Sequence, residues 1–324
     1  MTIAKALLLA SALAAIAFAQ PKPHVEIVPV RGHIYLLAGA GANITISIGP
    51  DGVLLVDSGL PEMSDQVLAA IQQLQQRTNV NGAPPKPLRY IINTNMHSDH
   101  IGGNESIGQE GKTITGGNVV GDIGDAGGGA AIVAHENVLN RLSPDGKPKV
   151  NFRALPTLTF LSDQMKLSQF FNGEGIQIFH EKSAYTDGDS IVFFRASDVI
   201  STGDIFSTTS YPVIDLANGG SLQGVIDGLN HILDLSVAEF RTEGGTLIVP
   251  GHGRICDTAD VAYYRDMATI VRDRIQAMIK KDMTLDQVKA AKPTEDWDPR
   301  YDKNPAWTPA MFVEAAFKSL SGGK

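Results

Sequence analysis

Short apolar runs broken by glycine, proline and aspartate turns dominate the first part of the chain. Val25 to Val30 and His33 to Leu37 flank Arg31-Gly32, and Ile44 to Ile48 and Val53 to Val56 flank Pro50-Asp51-Gly52. Both pairs predict antiparallel strands, because each run has strand length and each break carries turn residues. Ser64 to Arg77 changes period: Val67, Leu68, Ile71 and Leu74 fall on one face of a helix. A proline-rich linker (Pro84, Pro85, Pro87) then leads into Arg89 to Ile92, an apolar run that predicts a buried strand.

Gly116 to Gly129 is glycine-rich without periodicity, and Ala130 to His135 is again apolar. Ser143 to Phe171 has only scattered apolar residues and predicts an irregular excursion, where substrate-contacting loops tend to lie. Strands are expected at Ile176 to Phe179, Ser190 to Phe194, Asp198 to Ser201 and Thr246 to Val249, with a helix from Leu222 to Leu235. The tail is helical. Val261 to Lys280 has core spacing, Thr284 to Gln287 reads as a capping box, and Thr308-Pro309 as an N-cap followed by proline. Two halves, each of strands followed by helices, predict an α/β protein with two sheets packed face to face and helices outside.

Composition bounds the partners. A net charge of -8 over 324 residues argues against nucleic acid, which wants a basic stripe. Lysine and arginine runs are absent, so attraction to a membrane surface is not expected. Residues 1–19 read as a signal peptide: Lys5 is the positive start, Ala6 to Phe18 the apolar core, and Ala17-Phe18-Ala19 the small-x-small cleavage pattern. The mature chain is then expected to start at Gln20 and to work in the periplasm or outside the cell. A retained N-terminal anchor is the alternative. Cys256 is the sole cysteine, so no internal disulfide can form, and it reads as a small buried apolar group.

Chemistry concentrates in Asn93-Thr94-Asn95-Met96-His97-Ser98-Asp99-His100-Ile101-Gly102-Gly103, directly after a strand. Two imidazoles and a carboxylate within four positions, on a turn, are donors of the kind a divalent metal takes. Three further donor turns follow: Ala184 to Asp189, Thr202-Gly203-Asp204 and Gly251-His252-Gly253. Glycine beside each donor lets backbones turn sharply and converge. Asp187 and Asp189 read as turn-shaping residues. His24, His33, His135, His180 and His231 read as structural or surface residues, although His180 lies only five residues before Tyr185. Gly39-Ala40-Gly41 lacks a third glycine at Ile44, so no dinucleotide fingerprint is present.

From about Ile27 to Cys256 the chain resembles the metallo-β-lactamase superfamily, through an HxHxDH-like turn and the three later motifs. The resemblance implies a four-layer αββα sandwich with its metal cleft at the sheet edges. It suggests a division into signal peptide 1–19, metallo-β-lactamase-like domain 20–256 and a helical extension 257–324 packed on the same domain. By the same resemblance, His97, Asp99 and His100 match the second histidine, the aspartate and the third histidine of the first motif. Asp204 matches the aspartate that usually bridges two metals, His252 the last histidine, and Asp57 the acidic residue that braces a ligand. Two positions depart from the pattern: Asn95 and Tyr185 stand where the family carries histidines. Both losses fall on the same metal position, which is expected to be empty or weakly held. The other keeps Asp99, His100, Asp204 and His252, enough for one zinc, with iron as the alternative metal.

The resemblance implies a secreted metal-dependent hydrolase that activates water against an amide, ester, lactone or similar acyl bond of a small molecule. His97 or Asp204 is then free to act as general base and Tyr185 to donate to a developing oxyanion, and Asn95, at the depleted position, is counted with these three among the catalytic residues. A β-lactamase, or a degenerate member that binds without turnover, are the alternatives.

Overall fold

A computed structural model describes residues 24–78, 82, 84–113, 128–237 and 244–322. The expected signal peptide and most of the Gly116 to Gly129 patch lie outside them. Among the described residues, strands form a seven-stranded and a five-stranded sheet.

The first sheet is built in chain order from β1 (Glu26–Arg31), β2 (Ile34–Ala40), β3 (Ala42–Gly49), β4 (Gly52–Val56), β5 (Leu88–Ile92), β6 (Ala131–His135) and β7 (Leu158–Phe160). β1 to β4 meander antiparallel, then β4 to β7 run parallel. The helices α1 (Ser64–Thr78), α2 (Ser98–Ile101), α3 (Asn104–Gln109) and α4 (Glu136–Leu142) fall within its crossovers and the connection after β6. The second sheet runs β12-β11-β10-β9-β8, from β8 (Gln164–Phe171), β9 (Glu174–Glu181), β10 (Asp189–Phe194), β11 (Val199–Ser201) and β12 (Leu247–Val249).

Side-chain alternation sorts the residues into layers. In β4, Val53 and Leu55 pack with Val67, Ile71 and Leu74 of α1. Leu54 and Val56 point the other way, onto Ile178, Val192 and Phe194 of the second sheet. In β10 and β11, Ile191 and Ile200 face instead a helical layer with Val225 and Leu229 of α5 (Leu222–Leu235). Each strand buried on both faces therefore reads as a continuous apolar run, as β4 does. The result is a four-layer αββα sandwich, as expected. Where a polar side chain enters the space between the sheets it meets another: Thr45 Oγ1 donates to Ser201 Oγ at 3.1 Å.

The tail adds α6 (Thr258–Ile279), α7 (Leu285–Ala290), α8 (Asp298–Tyr301) and α9 (Pro309–Leu320). Val261, Met267 and Val271 of α6 and Phe312 and Ala316 of α9 join the same buried cluster as α5. Tyr211 stacks on Phe312 at 5.0 Å and donates to Asp298 at 2.7 Å. Trp307 Nε1 donates to Pro212 O at 3.1 Å. These bonds hold the tail against the loop that follows Asp204. The capping box at Thr284 and the Thr308 cap form as the residues predict.

One expectation is corrected. The excursion from Ser143 to Phe171 is not irregular throughout, because β7 and β8 lie within it. β8 is an edge strand whose register slips between Lys166 and Ser168 and again before Phe171, which hides its two-residue period. A usable signal was present in Asn172-Gly173. Both residues take positive φ (54° and 79°), the requirement of a tight hairpin turn.

Candidate metal centre

The donor turns meet because parallel strands end together. Val56 pairs with Ile92, so Asp57 and the Asn93 to His97 turn leave the first sheet at one edge. Ser201 pairs with Val249, so Asp204 and His252 leave the second sheet side by side. Backbone bonds stitch the two edges: Ser190 N donates to Thr94 O and Asn43 N to Gly251 O, both at 2.8 Å. Asn43 also donates its side-chain amide to Pro250 O and Gly253 O, each at 2.9 Å, bracing the loop that carries His252.

Asp99, His100 and His252 each offer a ligand atom, and these atoms all lie within 4.8 Å of one another. His252 Nε2 is 3.3 Å from Asp99 Oδ2 and 3.3 Å from Asp204 Oδ1. His100 Nε2 is 3.0 Å from Asp204 Oδ2. Asp204 thus touches two members of the trio without belonging to the mutually close set.

His100 is fully buried and fixed from its far side. Its Nδ1 lies 2.8 Å from Asp57 Oδ2, and the same carboxylate takes hydrogen bonds from Thr94 N and Thr94 Oγ1, each at 2.8 Å. Asp57 ends β4 in the left-handed region (φ 68°), which aims its carboxylate back under the turn. An imidazole anchored at Nδ1 turns Nε2 toward the cluster, as ligand histidines do.

A cation suits this cluster on two grounds. His100 Nε2 and Asp204 Oδ1 are buried without a hydrogen-bond partner despite their close neighbours. Donor atoms that approach one another without an aligned hydrogen bond are arranged around a common point rather than toward each other. The field is also negative. Burial pushes His252 down, but Asp204 and Asp99 outweigh it and lift the imidazole to about 9. Burial likewise opposes the charged form of His100, and Asp204 and Asp57 raise it well above its usual value. Asp204 is held below the usual carboxylate range by His100 and His252, against its own burial.

The other expected residues gather beside this cluster. Asn95 is fully buried and donates from Nδ2 to Asp204 Oδ2 at 3.2 Å, while its Oδ1 accepts from His97 N at 2.8 Å. His97 stacks on Tyr185, with ring centroids 4.4 Å apart and planes 16° from parallel. Its Nε2 lies 3.4 Å from Asp215 Oδ2. Burial pushes the His97 imidazole down, partly offset by Asp204 and Asp215. Burial and the carboxylates of Asp204, Asp99 and Asp215 push the Tyr185 phenol up, which keeps its proton on. Asp189 takes hydrogen bonds from Thr186 N and Oγ1, and Asp187 pairs with Arg141 at 2.6 Å, so both brace the turn that presents Tyr185.

His180 and His135 stack on each other at 3.5 Å, and His231 pairs with Glu181 at 2.6 Å, apart from the Asp99–His100–His252 trio. Three residues at the site escaped the sequence reading: Asp215, Thr94 and Asn43. Asp215 had a partial signal, since Asn218 and Gly219 follow it and its carboxylate accepts from Asn218 N at 3.1 Å. Asn43 and Thr94 act through contacts across the fold that no local pattern announces.

Comparison with known proteins agrees with this architecture. Residues 38–252 match the family described as the metallo-beta-lactamase superfamily. Among solved structures, the chain is similar to DIM-1 metallo-beta-lactamase, with 15% identity, TM-score 0.53, and coverage of 76% of this chain and 98% of that one. A metallo-beta-lactamase from Pontibacter korlensis is similar at 15% identity and TM-score 0.51, over 76% of this chain and 99% of that one. The sec-alkylsulfatase Pisa1 from Pseudomonas sp. is similar at 15% identity and TM-score 0.61, over 91% of this chain and 50% of that one. At such identities the likeness speaks for the fold alone. No curated protein matches the chain in sequence.

Proposed function

The chain belongs to the metallo-beta-lactamase superfamily, and on that premise we propose that it is an exported hydrolase using one bound metal, zinc, to cleave an amide, ester, lactone or similar acyl bond. The observation that carries this reading is the trio Asp99, His100 and His252 with ligand atoms mutually within 4.8 Å. Asp204 completes the donor set from the side of the two imidazoles. A zinc ion held there supplies Lewis acidity and brings the pKa of water toward about 7.

The chain's own residues do the rest. Asp57 holds His100 in one orientation, with Nε2 facing the cluster. His97, whose neutral form burial favours, is a candidate general base at Nε2; the proton it took would stay on that nitrogen, where the Asp215 carboxylate 3.4 Å away stabilises the imidazolium. Tyr185, its phenol kept protonated, is a hydrogen-bond donor for an oxyanion that develops beside His97. The stack of the two rings limits the motion of both. Asn95 places an N–H on Asp204 where the family carries a histidine, and this amide contact supports a single metal rather than a pair.

A binding protein without turnover is the second reading, and the same Asn95–Asp204 bond and the position of His97, stacked on Tyr185 and outside the close trio, favour it. A β-lactam is one substrate to test within the leading reading. The apolar leader supports a periplasmic or secreted location. No helix among the described residues is long and apolar enough to cross a membrane. The test is a panel of β-lactam, lactone, ester and amide substrates, run on the zinc-loaded and chelator-stripped protein. Turnover that vanishes on stripping and returns with zinc is expected. Zinc binding without turnover of any acyl substrate moves the assignment to the second reading.

A further inference from the structure

His135 and His180 lie outside the Asp99–His100–His252 trio, yet they stack on each other, with ring centroids 3.5 Å apart and planes 8° from parallel. Each ring has its own task. His135 ends β6 and is the N-cap of α4, its Nδ1 accepting from Asn137 N at 3.3 Å. His180, near the end of β9, donates from Nε2 to Asp187 O at 2.8 Å. Asn137, the second residue of the helix that His135 caps, donates from Nδ2 to the same carbonyl at 2.7 Å. Both rings thus serve one acceptor, His180 directly and His135 through the first turn of α4.

That acceptor belongs to the turn that presents Tyr185. Arg141 of α4 holds the Asp187 carboxylate at 2.6 Å. A Cβ on Gly188 would stand 2.9 Å from Val138 Cγ2, so the turn rests directly on α4. On its other side, Asp187 N donates to Asn218 O and Asp215 N to Tyr185 O, both at 2.9 Å. The loop that brings Asp215 to His97 is therefore tied to the same turn. A shift of α4 or of His180 would move Tyr185, and with it the stack on His97.

We propose that His135 and His180 are a positioning pair for Tyr185, and that a proton on His135 releases the turn. Nδ1 caps α4 only while it keeps its lone pair; once protonated it meets the Asn137 N–H donor to donor. It also sets a positive ring 3.5 Å from its neighbour. The charged groups around the pair do not reverse this. Burial and His180 outweigh Asp187 and Glu136 and hold the His135 imidazole down at about 4. Asp187 is itself paired with Arg141, and Asp163, which interacts with both rings, pairs with Lys182 at 2.9 Å. The capping form is therefore present at neutral pH and lost as pH falls through about 4. The consequence for turnover rests on the hydrolase reading, in which Tyr185 serves an oxyanion; the placement of Tyr185 does not.

The test follows Tyr185 by NMR of the full chain carrying isotope-labelled tyrosine, with the signal assigned from Y185F. At pH 7, H135A and H180F are each expected to shift the Tyr185 ring signals, and H135N, whose amide oxygen caps a helix, to restore them. Between pH 7 and pH 4, wild type is expected to lose its native Tyr185 signals before those of the core tyrosines Tyr264 and Tyr301, while H135N keeps them. If H135A does not fold, H180F and the acid comparison with H135N carry the test. Tyr185 signals indifferent to H180F, an H135N signal displaced like that of H135A, or acid curves that coincide for wild type and H135N overturn the proposal. So does loss of all tyrosine signals together. Failure of the acyl-substrate panel leaves these outcomes unchanged, and a Tyr185 signal indifferent to every variant leaves the hydrolase reading standing.

Discussion

Asp57→Asn is the most informative single change, because asparagine keeps size and shape and tolerates the left-handed backbone that Asp57 adopts at φ 68°. Only the hydrogen bonding changes. Asp57 is 1% exposed, and its two oxygens serve Thr94 N, Thr94 Oγ1 and His100 Nδ1, each at 2.8 Å. The amide has one acceptor oxygen and sets an NH2 among donors, so the contact on His100 loses its charge assistance. A bond to a charged group contributes about 1.5–3 kcal/mol, which puts the cost to the metal-free fold at roughly 3 kcal/mol. Loss of such a brace behind a ligand histidine typically weakens metal binding by about 10–100-fold. The assay is zinc titration against a chromophoric competitor, paired with urea unfolding of the metal-free protein. Zinc affinity within about twofold of wild type in both Asp57→Asn and Asp57→Ala would refute the claim that Asp57 orients His100 for a metal.

Two further outcomes are expected. His135 is 4% exposed, and burial, then the stacked His180, push its imidazole down to about 4. Its folded value lies below the unfolded one, so its contribution is present above pH ~6.5 and is lost as pH falls through ~4. Urea unfolding at pH 7 and pH 4 should show wild type losing about 3 kcal/mol more than His135→Gln; equal losses would contradict the assignment. Gly251→Ala sets a methyl against Asp204 Oδ1 and within 2.8 Å of the Gly203 backbone. Zinc affinity should fall more than tenfold while the fold persists by circular dichroism, and an unchanged affinity would show that Asp204 is not held in place by this loop.

Much of the architecture was legible because it follows from local pattern. The hairpins, α1, α5 and the capped tail helices have turn residues and periodic apolar faces that need no distant partner to be read. β8 was missed since its alternation is broken by two register shifts and, among the described residues, it pairs with one strand only. The site divides in the same way. Asp99 and His100 stand in the short helix α2 and His252 in a loop, all in motifs whose residue types announce ligands, and the fold brings them together. Their supports, Thr94 and Asn43, are ordinary polar residues that acquire a role only when strands distant in sequence end at one edge. Asp215 beside His97 is a similar case, as the contact joins positions 118 residues apart (215 minus 97).

In the proposed hydrolase a single zinc is held by Asp99, His100 and His252 with Asp204 beside them, and the first metal position, where Asn95 and Tyr185 stand, is left empty. Elemental analysis of the full chain, purified without chelator and without added metal, tests it most directly. The expected result is one zinc per chain, lost in His252→Ala. Two tightly held metals per chain, or none even after zinc is supplied, would contradict it.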